Sequence, residues 1–587
     1  MDSSSIEVNY QVYDNLGQVP KLDPNLPTFC DIESEQLYVD ARIIQLYQPQ
    51  SADHVIILDF DEINEADIKA FIKPLWTVWW NASYDFGTLN MTTVKFDDLQ
   101  YIVKTAYPLF GGTEKFSLDN VIAKFGFDLY KDLDKKDMQK SGFMRGVYLS
   151  HTQLLYASTD VIALSLMWEK EPVQLVREHN LAYKVDILSL EYSIEYQQNG
   201  LLVDQKSVAI ELGKCQEDIR QNEKVLDVEI PNTWLGEGDT PEWWPKGNFK
   251  DLRGINSNSW KQVRAVLRSR TSDKPALINI IAENSWRSSI AKAIFDQRRL
   301  IKRKGFLESY NYPKVYTRYN PAGAITGRFT ATGGDLYNGI NAQQITRNLQ
   351  YIFNKDTEDT IVIEADFGTA ELRAAASIMQ DETMYKELMD GIDLHKVSAA
   401  LATGISIDDI TKDERTKGKA VSFGLIFGMS ASTFQEYAFV NYDVVFTLEE
   451  CKAIKKAYQE HYPSIKKYHE AAWNNIKKNN YIVSTALGRR ARPKIGTDAI
   501  NIPTQGTIAE TTKLAIHYAV KEDRRILQLI YNIVHDQINL RVPRAEVDYW
   551  RELLVRNMKQ AWTEICKTPL MHYKDIPMPV DAEHSAA

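Results

Sequence analysis

The residues richest in chemistry are carboxylates that the sequence sets at strand ends and on single helix faces. Asp366 closes the apolar run TIVIEAD and is followed by the helical ELRAAASIM. Asp536 sits where IYNIVHDQINLRV turns between two apolar runs. The alternation of Ile533, Ile538, Leu540 and Val542 predicts a hairpin with Asp536 at or near its tip. Two aspartates on adjacent strands suit a two-metal site for phosphoryl transfer. Between them, in KDERTKGKAVSFGLIFGMS, Arg415, Lys419, Phe423 and Phe427 recur every four residues and so stay close to one helical face. Two cations followed by two aromatics could hold a triphosphate and stack against a base. An amphipathic helix with a basic first half and an apolar second half accounts for this segment equally well.

A second carboxylate set lies near the N-terminus. Asp31 and Glu33 are two apart in a strand-like run, so both project to one face. NASYD places Asp85 just after the apolar LWTVWW, and YASTD puts Tyr156 and Asp160 four apart on one helix face. Four carboxylates converging on one point would repel one another unless a cation sat among them. Hard divalent ions take oxygen ligands, and Tyr156 could orient an attacking water. Each piece alone is a weak signal; the ordered set D-x-E, N-x-x-Y-D, Y-x-x-x-D carries the weight.

These side chains need a scaffold, and the chain predicts one in several units. At roughly 150 residues per domain, 587 residues make about four. Residues 1–185 alternate short β-rich runs (TFCDIESEQLYV, ARIIQLYQ, DHVIILDF) with helical patterns. From about 181 to 330 the chain is mainly helical, interrupted near 229–254 by a Gly-, Pro- and Trp-rich loop or insertion. The strand at 360–366, helices over 369–527 and a tight strand pair around 529–542 follow. A 44% hydrophobic, 25% charged composition excludes collagen-like, mucin-like and wholly disordered chains. No run of ~18 apolar residues predicts a membrane span, and no apolar leader precedes the acidic MDSSSIEVNYQVYDN. The four cysteines lack metal-ligand spacing, which fits a reduced, cytoplasmic compartment. A net charge of −10 argues against a simple polycation, but RRLIKRK (298–304) and RRARPK (489–494) are local basic clusters, each also readable as a solvated face.

The N-terminal set resembles the 3′–5′ proofreading exonucleases of the DnaQ-like, ribonuclease-H-type fold, and FSLDNVIAKFGFDLYKDLDKKD (116–137) resembles the corresponding stretch of that family. The C-terminal half resembles the family A DNA polymerases. Asp366-Phe367-Gly368-Thr369-Ala370-Glu371-Leu372-Arg373 is similar to that family's D-Y-S-Q-I-E-L-R. Arg415, Lys419, Phe423 and Gly424 are similar to its R-x-x-x-K-x-x-x-F-G, and His535-Asp536-Gln537 to its H-D-E. TGRF (326–329), NAQQITR (341–347), DLH (393–395), TALGRRAR (485–492) and NIPTQGTIAE (501–510) resemble further family blocks in the family's order. QQNGLLVD (197–204) resembles the start of the polymerase domain and INSNSWKQV (255–263) its thumb.

The resemblance implies an α/β and α+β multidomain fold: an exonuclease domain over 1–185, thumb and start of the polymerase over 186–325, palm over 326–384 and 481–587, and fingers over 385–480. It implies a template-directed DNA polymerase that extends a DNA primer with dNTPs and proofreads 3′–5′. Asp366 and Asp536, with the Phe367 carbonyl, would hold two Mg²⁺; Asp31, Glu33, Asp85 and Asp160 would hold two more, with Mn²⁺ as a substitute. His395, Arg415 and Lys419 would grip the triphosphate. Glu371 would exclude a 2′-hydroxyl, Phe423 would pack on sugar and base, and Phe427 would stack near the template base. Arg328, Asn341, Gln343, Arg489, Asn501, Gln505 and His535 would meet DNA. Phe423 also resembles the family members that reject dideoxynucleotides, where those with Tyr accept them.

Several positions depart from the family pattern: Gln537 for the usual Glu, Phe427 for Tyr, Thr497 for Arg and Thr346 for Pro. The short stretch before Asp31 leaves no room for a 5′-nuclease domain, which resembles a phage replicative enzyme acting in the host cytoplasm. A single-subunit RNA polymerase is opposed by Glu371 and the exonuclease set, and a non-catalytic DNA-binding scaffold by the intact acids. The sequence identifies no processivity or replisome partner and no membrane association.

Overall fold

Period-two alternation builds the first unit of this computed structural model, which describes residues 8–36, 39–110, 116–127, 129, 142–227, 254–333 and 338–584. The stretch 130–137 and nearly all of the Trp-rich interruption lie outside the described residues. Six strands, β1 (Tyr10–Tyr13), β2 (Pro27–Gln36), β3 (Val39–Tyr47), β4 (Val55–Asp59), β5 (Trp76–Trp79) and β6 (Lys95–Asp98), form one sheet in the order β1-β4-β3-β2-β5-β6. β2 is antiparallel to β3 and parallel to β5. Along β2, Cys30 and Ile32 are buried in the core, so Asp31 and Glu33 project from the opposite face. Helices α1 (Ala82–Leu89), α2 (Leu99–Ala106), α3 (Leu118–Phe125) and α4 (His151–Trp168) complete the site-bearing part of this α/β unit. A Ser150–Gln153 capping box starts α4, which packs against β2 and β3.

Helix α5 (Leu181–Tyr196) leads out of this unit, and α6 (Gln205–Leu226) packs along α7 (Trp286–Ser309). The basic cluster on α7 is largely spoken for: Arg298 donates to the Ser257 and Ser272 carbonyls, Arg303 pairs with Glu211, and Lys304 with Glu308. Those bonds give this cluster a structural role.

The last unit is organised on β7 (Thr360–Phe367), followed by α8 (Ala370–Ile378), α9 (Leu394–Thr403), α10 (Lys412–Leu425) and the long α11 (Gly496–Glu522). β8 (Ile530–Val534), β9 (Gln537–Pro543), α12 (Val547–Cys566) and β10 (Val580–His584) close it, with sheet order β8-β9-β7-β10 and all neighbours antiparallel. Ile363, Ala365, Ile538, Leu540 and Val542 are fully buried on one side of this sheet. Glu364 and Asp366 therefore share the other side. Among the described residues no helix is long and apolar enough to cross a membrane, and all four cysteines are free and buried.

Candidate active sites

The hairpin between β8 and β9 turns on two residues, His535 and Asp536, with Val534 paired to Gln537. His535 has φ +58°, a left-handed conformation in which a non-glycine residue is strained and which clusters at functional sites. The turn brings Asp536 beside Asp366 at the end of β7, a strand that pairs directly with β9. Burial raises the Asp536 carboxyl to about 7, with the neighbouring Asp366 and Glu371 charges adding and Arg328 opposing. Burial likewise raises Asp366 to about 6, with Asp581 and Glu364 adding against Arg347 and the Phe367 amide. Asp366 Oδ1 is buried and has no hydrogen-bond partner among the described residues. A crowded pair of carboxylates with one unsatisfied buried oxygen is a donor set a hard divalent cation completes. The Phe367 side chain is buried in the core, which leaves its main chain for the site.

Glu371, in the first turn of α8, forms an ion pair with Arg328. Gln537 donates to Glu364 Oε1 at 3.1 Å and to Asn539 Oδ1 at 2.7 Å. The carboxylate missing at 537 is thus matched by one at 364, two residues before Asp366 on the same face. On the other flank Asp581 of β10 is the cross-strand partner of Asp366, and Glu583 that of Glu364. Sequence reasoning missed all three. Glu364 was findable from i, i+2 alternation; Asp581 and Glu583 needed the strand pairing.

Helix α10 starts from a Thr411–Glu414 capping box. It lies so close to α9 that a Cβ on Gly418 would stand 1.9 Å from the His395 carbonyl oxygen. Arg415 pairs with Asp393 at 2.6 Å, and the Phe423 ring lies 5.1 Å from the His395 imidazole. Burial depresses His395 to about 4, with Arg415 and Lys419 adding, and its Nδ1 meets Ser422 Oγ at 2.8 Å. His395 is therefore a neutral hydrogen-bonding residue here, not a cation. Arg415, Lys419 and Phe423 form the accessible stripe. Phe427, expected to stack near the template base, is buried in the core.

In the N-terminal unit, Asp31, Glu33 and Asp160 bring carboxylate oxygens within 4.8 Å of one another. Asp85 comes in from α1, buried, with Oδ1 lacking a hydrogen-bond partner among the described residues. Burial raises Asp31 well above the carboxylate range, with Asp160 adding; Asp85 rises likewise, with Asp31 adding. Burial and Asp160 also raise the Tyr156 phenol, so it stays protonated. This set too fits a hard cation.

The remaining expected DNA contacts divide. Gln505 and Asn501 lie half-buried on α11, where Gly506 lets the helix approach the Thr326 carbonyl. Asn341 holds Ala331 O and the Gln343 amide, and Gln343 reaches the Ile533 carbonyl of β8 at 3.5 Å. Arg489 corrects the sequence reading. It is 4% exposed and ion-paired to Asp186 of α5, which also takes Lys513 of α11 at 2.6 Å. Burial works against the Arg489 charge, but Asp186 and Glu510 outweigh it. A guanidinium held in this network ties α5 to the polymerase unit.

A sheet bearing paired aspartates and a helix of cations and aromatics, joined to a separate acid-lined α/β unit, define a nucleotidyl-transfer protein of the right-hand polymerase class. The family model described as DNA polymerase family A matches residues 251–586, more than half of the chain, and the chain belongs to that family. It is 26% identical over 559 residues to DNA polymerase I of Aquifex aeolicus, covering 91% of this chain and 93% of that one. With DNA polymerase I of Streptococcus pneumoniae serotype 4 it shares 24% over 522 residues, covering 81% of this chain but 55% of the relative. The solved structure titled "POL domain of Pol1 from M. smegmatis complex with DNA primer-template and dNTP" superimposes with a TM-score of 0.69 at 19% identity, covering 95% of each chain, and is alike in fold.

Proposed function

We propose that the chain extends a DNA primer along a template with dNTPs at the 366/536 site and removes unpaired 3′ nucleotides at the 31/33/85/160 site. The carrying observation is that two carboxylate clusters, Asp366 with Asp536 and Asp31 with Glu33, Asp85 and Asp160, lie in different units, and each contains one buried carboxylate oxygen, Asp366 Oδ1 and Asp85 Oδ1, with no hydrogen-bond partner among the described residues. Residues 1–185 would be the exonuclease, 186–325 the thumb, 326–384 and 481–587 the palm and 385–480 the fingers. Asp366, Asp536 and the Phe367 carbonyl would hold two Mg²⁺ in one site, and Asp31, Glu33, Asp85 and Asp160 two in the other. Such ions supply charge stabilisation for the pentavalent phosphorus and a more acidic attacking hydroxyl or water.

The protein's own side chains do the rest. Arg415 and Lys419 hold the triphosphate, and the neutral His395, anchored through Nδ1–H on Ser422 Oγ, lines the site beside them. Phe423 backs the sugar, and Glu371, fixed by Arg328, fills the space a 2′-hydroxyl would need. Arg328, Gln505 and His535 contact the minor groove, whose similar acceptors in every base pair suit a copier indifferent to sequence. Tyr156 orients the water at the exonuclease site. The dNTP- and DNA-bound title of the structural neighbour supports these ligands. The test is a labelled primer with one mismatched 3′ nucleotide, incubated with Mg²⁺ with and without dNTPs. Shortening without dNTPs and full-length product with them is expected; neither product would overturn the reading.

A further inference from the structure

The helix that carries Arg415, Lys419 and Phe423 ends in a turn held by two side chains that neither active site uses. α10 stops at Leu425, and Ile426, Phe427, Gly428 and Met429 follow before the helix Ala431–Tyr442 begins. Gly428 has φ +73° and gives its amide to the Leu425 carbonyl at 3.0 Å. Carbonyls at the C-terminal end of a helix have no partner within it. Ile426 O, at the start of this turn, accepts from His469 Nε2 at 2.9 Å, and Met429 O, at its end, accepts from Lys455 Nζ at 2.8 Å. Lys455 belongs to the helix Leu448–His461 and His469 to the helix Pro463–Asn475. The fit is close: a Cβ on Gly428 would stand 2.8 Å from Ile500 Cδ1 of α11 and 3.4 Å from His469 Nδ1.

Neither group is there to fill space. Burial depresses the His469 imidazole to about 4, with Lys455 adding against the Ile426 bond, so the ring is neutral and its Nε2 carries the proton that Ile426 O accepts. Lys455 is half-buried, burial lowers its ammonium, and it gives that charge to a neutral carbonyl. Apolar side chains would pack at both positions without desolvating a polar group. What the pair holds is the end of α10. Arg415 lies eleven residues before Ile426, about 16 Å along the helix, so a tilt of about 5° at this end moves Arg415 by about 1.4 Å. A displacement of that size at a substrate-holding group is enough to cost about a hundredfold in rate. The N-terminal half of α10 is held through the Arg415–Asp393 pair, whose cation the triphosphate claims in the reading above.

We propose that Lys455 and His469 are positioning residues for nucleotide binding: through the Met429 and Ile426 carbonyls they fix the C-terminal end of α10 and so set the Arg415–Lys419–Phe423 stripe against the incoming triphosphate. The inference rests on the polymerase reading above. The test uses His469→Met and Lys455→Met, singly and together, in an Asp31→Ala parent; each keeps an extended side chain and removes the donor. Both positions border a cavity of about 260 Å³, which leaves room for the change. Two constants are measured: KM with kcat for one dNTP on a paired primer–template, and the dissociation constant of inorganic triphosphate with Mg²⁺ by titration calorimetry. Each single variant should raise both KM and the triphosphate constant about threefold, and the pair about tenfold if the two anchors act independently. kcat should fall by less than about threefold, as for a loss of binding common to ground and transition states.

His469→Gln, whose amide donates from the place of Nε2, and Lys455→Arg should return both constants to within about twofold of the parent. Met variants whose KM and triphosphate constant match the parent would overturn the anchors, whatever their thermal midpoint. Failure of Gln and Arg to restore the constants would also overturn them, since bulk and not the carbonyl bond would then matter. If the paired Met variant does not fold, Lys455→Met alone, at a half-buried position, decides on the same two constants. If the parent binds triphosphate but extends no primer, the polymerase reading fails by itself, and the triphosphate constants still decide the anchors. If the parent binds no triphosphate, the anchors have nothing to position and the inference falls.

Discussion

Replacing Asp536 by asparagine should stabilise the metal-free protein at pH 8 while abolishing primer extension. The Asp536 carboxyl is raised from 3.8 to about 7 by burial and by Asp366 and Glu371. A group with a raised folded-state pKa supports the fold below its unfolded value, and that support is lost as pH rises through the folded value. Stability without metal should therefore decline between about pH 4 and pH 7, and Asp366, raised to about 6, contributes in the same direction. At ~1.4 kcal/mol per pKa unit the shift amounts to at most ~4 kcal/mol, and sharing the charge with Asp366 brings Asp536 alone to about 2 kcal/mol. In a cooperative unit of several hundred residues this is a rise of about 2–4 °C in apparent Tm. The assay is scanning calorimetry of wild type and Asp536→Asn in EDTA at pH 5 and pH 8, repeated with Mg²⁺. Without metal the variant should melt higher by more at pH 8 than at pH 5, and Mg²⁺ should raise wild type more than the variant. A lower Tm for the variant at pH 8, or a Mg²⁺ response equal in both, would refute the idea that like charge at the palm is held against the fold and relieved by a cation.

Glu371→Ala should raise ribonucleotide incorporation by orders of magnitude, read as the ratio of kcat/KM for a dNTP and its NTP, because it empties the space beside the sugar. Phe423→Tyr, in an Asp31→Ala background, should increase dideoxynucleotide termination by about one to two decades on a sequencing gel, since the added hydroxyl supplies a hydrogen bond to a charged group worth roughly 1.5–3 kcal/mol. Asp186→Ala strands Arg489 and Lys513 as buried charges, so it should cost about 3–5 kcal/mol and lower the thermal midpoint of the whole polymerase unit, measured by circular dichroism.

The parts of the site that were legible in sequence are those where a local period dictates direction. Asp31 and Glu33 share a face because strands alternate, and Tyr156 and Asp160 share one because helices return after four residues. Asp536 at a hairpin turn followed from the apolar alternation on both sides. What stayed hidden depends on partners distant in sequence. Arg489 reads as one more DNA-binding arginine until Asp186, some three hundred residues earlier, is folded against it. Gln537 reads as a lost charge until the pairing of β9 with β7 sets it beside Glu364. The sequence gives no sign of the burial of His395 against α10, which depresses its imidazole. Phe427 keeps the four-residue spacing of its stripe, yet the helix ends at Leu425, so the period no longer governs where its ring goes.

The central claim is that two catalytic sites coexist and act separately. The most direct test compares Asp31→Ala and Asp366→Ala on one labelled primer–template with a mismatched 3′ end, in Mg²⁺ and dNTPs, with folding verified by calorimetry. Asp31→Ala should extend a paired primer at the wild-type rate and leave the mismatch in place. Asp366→Ala should remove the mismatch and add nothing. Loss of both activities in either folded variant, or loss of neither, would contradict the account.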